Sequence, residues 1–186
     1  MGLLKPIIVV VLLVVTGGGF LAVRATIPAT QGPAQPIAFS HVPHVQNAKI
    51  ECEFCHRNVR KGAAATVPAV EQCMACHKVV KGPAGGAENL EIQKLRATWE
   101  NQDVINWVRV HRLPDHVHFP HEPHVRRLEP HFGSLQGVCI ECHSDVGNMA
   151  RVRQVRILNM GDCIFCHRNP PDGKGAAPTD CVVCHY

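Results

Sequence analysis

The chain has 186 residues, a formal net charge of +4 and only 5% aromatic residues, but it carries 10 Cys and 13 His. So few aromatic side chains build only a thin core at this length. All ten cysteines fall into one repeated motif and no basic run is present, which argues against a disulfide-stabilised mini-protein, an ordinary cytosolic enzyme and a nucleic-acid-binding protein.

The N-terminus carries an uncharged apolar stretch, residues 7–23, between Lys5 and Arg24. Its length is at the lower limit for a helix that spans a bilayer. A cleaved secretory signal has a similar layout, but the small-x-small pattern that precedes a cleavage site is interrupted here by Arg24. We therefore expect residues 1–24 to be an uncleaved transmembrane signal-anchor.

Three further parts follow the anchor. Residues 25–38 contain three Pro, one Gly and no charge, which predicts a semi-extended tether. We expect residues 39–103 to form one half with a connecting helix and residues 104–186 to form a second half. The repeated sequence F-x-H-x-P-H-V, at 39–45 and again at 119–125, supports this division.

Each cysteine belongs to one of five Cys-x-x-Cys-His motifs, a pattern typical of covalent c-type haem attachment. Two thiols three residues apart lie on one helical turn, where each forms a thioether with the porphyrin, and the adjacent His ligates the iron. A zinc ribbon pairs two Cys-x-x-Cys units per metal and requires no adjacent His. A disulfide framework gives no reason for a His after every second Cys. We number the motifs in chain order: motif 1 is Cys52/Cys55/His56, motif 2 is Cys73/Cys76/His77, motif 3 is Cys139/Cys142/His143, motif 4 is Cys163/Cys166/His167 and motif 5 is Cys181/Cys184/His185.

The motifs also predict the fold. Little chain is available for each motif, so the polypeptide buries too little apolar surface alone and the haem faces must complete the core. We predict a multihaem cytochrome c with mostly short α-helices and irregular chain packed around five covalent haem c groups. The haem propionates offset the formal charge of the chain, so its basic balance does not indicate a nucleic-acid partner.

Histidines outside the motifs are candidates for the distal position on each iron. In F-x-H-x-P-H-V the two imidazoles are three residues apart, which favours service to two different irons over service to one. Eight histidines lie outside the motifs: His41, His44, His111, His116, His118, His121, His124 and His131. We predict His41, His44, His121 and His124 as distal ligands. A fifth comes from the remaining four or from Met149 or Met160, and a methionine would raise the potential of its haem.

Several stretches give the chain a resemblance to a known family. They are QPIAFSH at 35–41 leading to His44, CMACH at 73–77, WVRVHRLPD at 107–115 running into FPH at 119–121 and His124, and MARVRQ at 149–154 followed by Leu158, Met160, Gly161 and Cys163. On these residues the chain resembles the pentahaem membrane-anchored cytochrome subunit of alternative complex III. That complex is a bacterial quinol oxidoreductase that replaces the cytochrome bc complex. The similarity covers roughly residues 35–170 plus the anchor. Val42-Pro43 and Asp162 depart from the family pattern.

The resemblance implies an electron-transfer subunit with no catalytic site of its own. It would pass electrons from quinol oxidation to a downstream cytochrome or acceptor. Its partners would be membrane quinol-binding subunits, an iron–sulfur subunit, a monohaem cytochrome c subunit and the lipid bilayer. It would cross the bacterial cytoplasmic membrane once, with its globular part on the periplasmic side. The family carries a histidine at the position of His111, which favours His111 as the fifth distal ligand.

Two other functions share some of these features. A stand-alone membrane-anchored quinol dehydrogenase that feeds a periplasmic reductase has the same anchor and multihaem head. The Pro-rich tether is less suited to hold the first haem against the bilayer. A multihaem reductase needs one open iron, often marked by a Lys in place of the motif His, whereas all five motifs here end in His.

Overall fold

The computed structural model describes residues 32–83 and 86–186. Short helices joined by irregular chain make up these ranges, and no β-strand occurs within them, as the sequence predicted. The α-helices are α1 Cys52–Cys55, α2 Val70–His77, α3 Leu90–Glu100, α4 His121–Phe132, α5 Leu135–His143, α6 Met160–Arg168 and α7 Cys181–Cys184, with a π-helix at Pro43–Asn47 and a 3₁₀ turn at Val146–Asn148.

The predicted signal-anchor, residues 1–24, and the first part of the tether lie outside the described residues. Within residues 32–83 and 86–186, no helix combines the length and the apolar character needed to cross a membrane.

The apolar core consists of two small clusters. The first joins Ile37, Val70, Met74 and Leu95, with Trp107 packed against it. No residue in the described ranges is completely buried by the polypeptide. The core is as thin as the composition predicts, so little of the stability of this fold comes from protein–protein apolar burial.

The second cluster joins Val59 to Val125, Leu128 and Val138. Val59 follows motif 1, whereas the other three residues lie on α4 and α5. Trp107 likewise crosses from the second predicted half into the first cluster. Each cluster therefore contains residues from both sides of the predicted boundary at residue 103, and the division into halves stays a prediction.

Helix caps set the start of two motif helices. The Ser134 side chain accepts a hydrogen bond from the Gly137 amide at the start of α5. Asn159 and Asp162 form a reciprocal capping box at the start of α6. Such caps are each worth about 1 kcal/mol, and here they fix the turns that present motifs 3 and 4.

Two arginines tie α4 to the loops that follow motifs 1 and 4. Arg60 donates to both carboxylate oxygens of Glu129, with Nη2 to Oε1 at 2.6 Å, and to Glu53 at 2.8 Å. Arg127 donates to Asp172 from Nε at 3.0 Å. The Asp172 carboxylate also accepts from the Lys174 amide at 3.1 Å, and the Arg127 guanidinium, which covers it, balances its charge.

Candidate haem-binding site

In each motif the two cysteines lie on one helical turn, as predicted. Motif 2 ends α2, motif 3 ends α5 and motif 4 lies within α6, whereas α1 and α7 consist of the Cys-x-x-Cys residues alone. In these two short helices the amide of the following His closes the turn, at 2.9 Å in motifs 1 and 5. None of the ten thiols forms a disulfide. The two thiols of each motif thus share one turn and are free of disulfides, and their attachment to one porphyrin stays a prediction.

The thiols differ in how far the polypeptide covers them. Cys76 of motif 2, Cys166 of motif 4 and Cys181 of motif 5 are exposed, whereas the other seven cysteines are half-buried. In motifs 2, 4 and 5 one thiol is therefore more accessible than the other, whereas both thiols of motifs 1 and 3 are half-buried. A cysteine without a bonding partner is usually well buried, so exposure of these three sets them apart from structural core residues. Haem attachment at Cys76, Cys166 and Cys181 stays a prediction, and it requires sulfurs that the polypeptide leaves accessible.

Backbone carbonyls orient four of the five motif histidines. The Nδ1 atoms of His56, His77 and His185 donate to the carbonyls of Thr66, Val80 and His116 at 2.5, 2.9 and 2.9 Å, and His167 donates to Pro178. A proton held on Nδ1 leaves Nε2 with its lone pair free for a metal. The sequence carries no signal for these acceptors, because any residue provides a carbonyl.

The two copies of F-x-H-x-P-H-V have the same geometry. His44 donates from Nδ1 to the Ser40 carbonyl at 2.9 Å, and His124 donates to the Pro120 carbonyl at 2.7 Å, in both cases four residues back. A phenylalanine ring stacks on each imidazole, with centroids 4.5 Å apart at His44 and 4.2 Å apart at His124. Both histidines therefore present Nε2 as the free nitrogen.

Three predicted distal histidines lie opposite motif histidines, at ring-centroid distances that leave room for one metal ion between the rings. The ring centroids are 6.0 Å apart for His44 and His77, 6.0 Å for His124 and His167, and 6.3 Å for His121 and His143. A metal–imidazole bond of about 2.0–2.1 Å puts the centres of two trans imidazoles about 6–6.5 Å apart. These spacings fit one iron between the rings of each pair.

His41 lies beside motif 1. Burial lowers its pKa to about 4, and the imidazoles of His56 and His44 add to that effect. Its Nδ1 is buried without a hydrogen-bond partner. Burial likewise lowers the pKa of His143 to about 4, and these rings are neutral near pH 7. Neutral imidazole is the form that ligates a metal.

The two repeats reach across to each other. The His121 amide donates to the Ala63 carbonyl in the loop after motif 1 at 3.0 Å, and the His41 amide donates to the Met149 carbonyl after motif 3 at 3.2 Å. Each copy of the repeat is therefore held in place partly by a hydrogen bond to a loop in the other half of the chain.

His111 does not lie at ligand spacing from any motif histidine. Its ring meets His143 edge-on, with centroids 4.4 Å apart and planes at 87°. Its Nε2 is buried without a hydrogen-bond partner. The sequence favours His111 as the fifth distal ligand without assigning it to a motif; the structure places its ring against the histidine of motif 3, and the ligand role stays a prediction.

His116 and His118 lie behind motif 5. The His116 ring is 5.5 Å from His185, but the His116 carbonyl also accepts the Nδ1 proton of His185. One residue cannot both support the back of an imidazole with its carbonyl and face its Nε2 across a porphyrin. The His118 amide donates to the Cys184 carbonyl at 2.9 Å, and its ring stacks on Tyr186 at 4.2 Å. Both histidines therefore support the fifth motif from its proximal side.

The remaining candidate distal ligands are His131, Met160 and Met149. His131 is exposed and packs edge-on against Phe132. Met160 is exposed at the start of α6, and Met149 contributes the carbonyl that His41 uses.

Neighbouring thiols show how the motifs follow one another in space. The helices of motif 1 and motif 3 contact each other, and the neighbouring Cys139 thiol lowers the pKa of Cys52 to about 7. Burial raises the pKa of Cys73, and nearby Cys55 adds to the rise, which places motif 2 beside motif 1.

The series continues on the other side of motif 3. Burial raises the pKa of Cys142, with smaller contributions that include the motif 4 thiols of Cys166 and Cys163. Burial also raises the pKa of Cys163, and Cys184 adds to it. The spatial order is therefore motif 2, 1, 3, 4 and 5, which differs from the chain order.

The donor set distinguishes axial haem ligation from a zinc site. Across residues 32–83 and 86–186, no group of three or more His, Cys, Asp or Glu side chains is arranged to hold a metal ion. Structural zinc takes four such ligands. Imidazoles that face each other in pairs, next to free thiol pairs, instead fit haem iron.

Five Cys-x-x-Cys-His turns, three of which have an imidazole opposite their histidine, are typical of a multihaem c-type cytochrome. The family model described as the class III cytochrome c family matches residues 22–115, and the chain belongs to that family. Covalently bound haem c and a role in electron transfer follow from this membership.

A curated relative extends the similarity over most of the chain. The "Menaquinone reductase, multiheme cytochrome c subunit" of Nitratidesulfovibrio vulgaris (strain Hildenborough) is 28% identical over 164 residues, which cover 81% of this chain and 76% of the relative.

Proposed function

We propose that the chain binds five haem c groups, one on each motif, and acts as the electron-transfer subunit of a membrane-bound quinone oxidoreductase. The observation that carries the proposal is the set of imidazole pairs 6.0–6.3 Å apart within a continuous spatial series of motifs. The bound irons supply one-electron redox chemistry, and the chain holds and orients them.

Three of the ligand assignments rest on the ring pairs, and the fourth rests on the place of His41 beside His56. The motif cysteines hold the porphyrins and the motif histidines are the proximal ligands. Distal ligands are His41 for motif 1, His44 for motif 2, His121 for motif 3 and His124 for motif 4. Irons with histidine on both sides carry electrons without binding substrate, which supports an electron-transfer role for the four haems assigned in this way.

Alternative complex III is the assembly that the sequence motifs favour. In that assembly the chain accepts electrons from quinol oxidation and passes them to a monohaem cytochrome c subunit or another acceptor. Membrane quinol-binding subunits and an iron–sulfur subunit are the other proposed partners. Residues 1–24 anchor the chain in the cytoplasmic membrane with the haem-binding part on the periplasmic side.

The second candidate is a related complex that reduces a quinone instead of oxidising a quinol. It is favoured by the relative, which is named as a subunit of a menaquinone reductase. In that case electrons enter from a periplasmic donor and leave toward the quinone.

Purification of the native complex from membranes tests both candidates. Mass spectrometry of the chain is expected to show five haem additions, and fewer would contradict the pentahaem assignment. Co-purification of a monohaem cytochrome and quinol-driven reduction of the haems support alternative complex III. Haems oxidised by menaquinone in a complex without that cytochrome would overturn it in favour of the second candidate. Quinol oxidation by the isolated chain would instead indicate a stand-alone dehydrogenase.

A further inference from the structure

Four exposed arginines come from two segments of the chain that meet in the structure. Arg109 and Arg112 belong to the segment before α4, and Arg151 and Arg153 follow the 3₁₀ turn. The Arg112 amide donates to Gln154 Oε1 at 3.4 Å, which joins the two segments. The first pair of arginines therefore lies beside the second pair, and we call these four residues the arginine patch.

No carboxylate neutralises the arginine patch. Within residues 32–83 and 86–186 none of its guanidinium groups forms an ion pair, and the rest of the chain contains no Asp or Glu. The neighbouring Arg156, by contrast, pairs with Glu141 at 2.9 Å. Arg109 and Arg112 each use Nε on a backbone carbonyl, at 3.1 and 3.3 Å. Their Nη groups are thus held in place and free for an oxyanion, which guanidinium binds in bidentate geometry.

The described chain begins at this patch. Gly32 has a φ of 57°, and it packs so closely on the Val152 carbonyl, next to Arg153, that a Cβ would overlap that oxygen. Three residues further on, the Gln35 side chain exchanges two hydrogen bonds of 2.9 Å with the backbone of Val108. Residues 32–35 therefore run between the two segments that carry the arginines.

Little chain separates this point from the proposed membrane anchor. Seven residues, 25–31, lie between the anchor and Gly32, and a fully extended chain spans at most about 3.6 Å per residue. With the anchor in the bilayer, Gly32 lies no more than about 30 Å from the membrane surface. A compact body of about 150 residues has a diameter of about 40 Å. Because the tether is shorter than that diameter, it holds the surface around Gly32 toward the bilayer.

We propose that the arginine patch is a docking surface for anionic phospholipid headgroups. The proposal rests on the membrane anchor at residues 1–24, which belongs to the proposed function. Phosphate oxygens supply the acceptors that unpaired guanidinium groups require, and each basic side chain near an anionic membrane strengthens binding about fivefold. Val155 and Ile157, 45% and 77% exposed, continue the same segment, and apolar side chains among cations suit the bilayer interface. The contact holds the haem-binding part in one orientation on the membrane.

The test places the full-length holoprotein in nanodiscs of phosphatidylcholine alone or of phosphatidylcholine with phosphatidylglycerol. Hydrogen–deuterium exchange is measured on peptides that cover residues 107–113 and 149–158. We expect exchange there to be several-fold slower with phosphatidylglycerol, and the difference to shrink at high salt because ions screen the attraction. Arg151→Gln/Arg153→Gln should abolish most of the difference between the two lipids.

The matched control removes two other exposed cations. Lys61→Gln/Lys174→Gln takes away the same charge beside α4, where the Lys174 carbonyl accepts from Arg127 at 3.3 Å and the Gly62 carbonyl accepts from the Glu122 amide. This variant should keep the phosphatidylglycerol effect. An equal loss in both variants would show that total charge, and no particular surface, attracts the lipid, which would overturn the proposal.

Three other outcomes would also overturn it. Exchange that is the same in both lipids would remove any lipid contact. Haem potentials that shift in Arg151→Gln/Arg153→Gln without lipid dependence would assign the arginines to haem propionates. Protection that appears only in the native complex would make the patch a protein interface. Carbonate extraction of the membranes is read first, since release of the wild-type chain would contradict the proposed anchor, whereas a retained chain without the lipid effect contradicts only the patch.

Discussion

The two copies of F-x-H-x-P-H-V place an imidazole, a carbonyl and a phenylalanine ring in the same arrangement on two different backbone conformations. In the first, His44 lies in a five-residue π-helix, Pro43–Asn47. In the second, His124 lies in the first turn of the 12-residue helix His121–Phe132, which ends at Gly133 with a φ of 71°. The imidazole-to-carbonyl bond and the stacked phenylalanine are the same in both. The comparison shows that these local contacts position the ligand, and that the helix which follows does not.

The two halves of the chain differ more in the groups that contact the motif histidine, His56 in motif 1 and His143 in motif 3. The motif 1 histidine, His56, is supported by the Thr66 carbonyl, whereas His143 of motif 3 contacts His111. A carbonyl is fixed by the chain path, but a side chain can be exchanged by one substitution. Motif 3 therefore differs from motif 1 in a contact that a single substitution can remove.

The largest expected effect comes from removing a motif at the junction of the halves. Motif 1 contacts motif 3 through Cys52 and Cys139, whereas motif 5 ends the series. Cys52→Ser/Cys55→Ser and Cys181→Ser/Cys184→Ser should each lose one haem by mass spectrometry. The junction variant should also give a several-fold lower yield of folded protein and a lower thermal midpoint, because it removes core from both halves. Equal yields and midpoints would show that the junction has no special structural role.

A second prediction concerns the equivalent histidines of the two repeats, His44 and His124. His44→Ala and His124→Ala should each convert one low-spin haem to a high-spin haem that binds carbon monoxide, because each removes one axial imidazole. Low-temperature EPR and carbon monoxide difference spectra measure the change, with His131→Ala as the control. If one variant kept all haems low-spin, the ligand equivalence of the repeats would be wrong.

Much of this site is readable from the sequence, for identifiable reasons. The motifs give the thiols and proximal histidines, and the repeat gives His44 and His124, because these depend on contacts within five residues of chain. The family match confirms a multihaem cytochrome c, while the ligand assignments stay predictions. The position of His111 beside His143 and the pairing of Cys52 with Cys139 depend on how distant segments meet. No local pattern records such contacts, so the sequence names His111 as a candidate ligand but not the motif that it lies against.

A smaller effect is expected from the ion pair between the halves. Arg60 bridges Glu129 and Glu53 with side chains 28–39% exposed, and partly exposed pairs are worth up to about 1 kcal/mol. Glu129→Gln should therefore lower the free energy of unfolding by about 0.5–1 kcal/mol in thermal or denaturant unfolding. Glu122→Gln breaks the Arg126 pair within one helix and, as the matched control, should cost about 0.3–0.5 kcal/mol. An equal or larger cost for Glu122→Gln would show that the bridge between the halves adds nothing beyond a surface pair.

The smallest expected effect is the pH dependence of that same pair. The Arg60 guanidinium lowers the pKa of the Glu129 carboxyl below its usual range. Since the folded-state pKa is the lower one, the carboxylate stabilises the fold at any pH above the unfolded value of about 4.3, and the gain is lost as pH falls through the folded value. The stability difference between wild type and Glu129→Gln should stay constant from about pH 7 to 5.5 and shrink below about pH 4. A difference that instead shrank between pH 7 and 6 would point to histidine titration, and the pair would not be the source of the stabilisation between the halves.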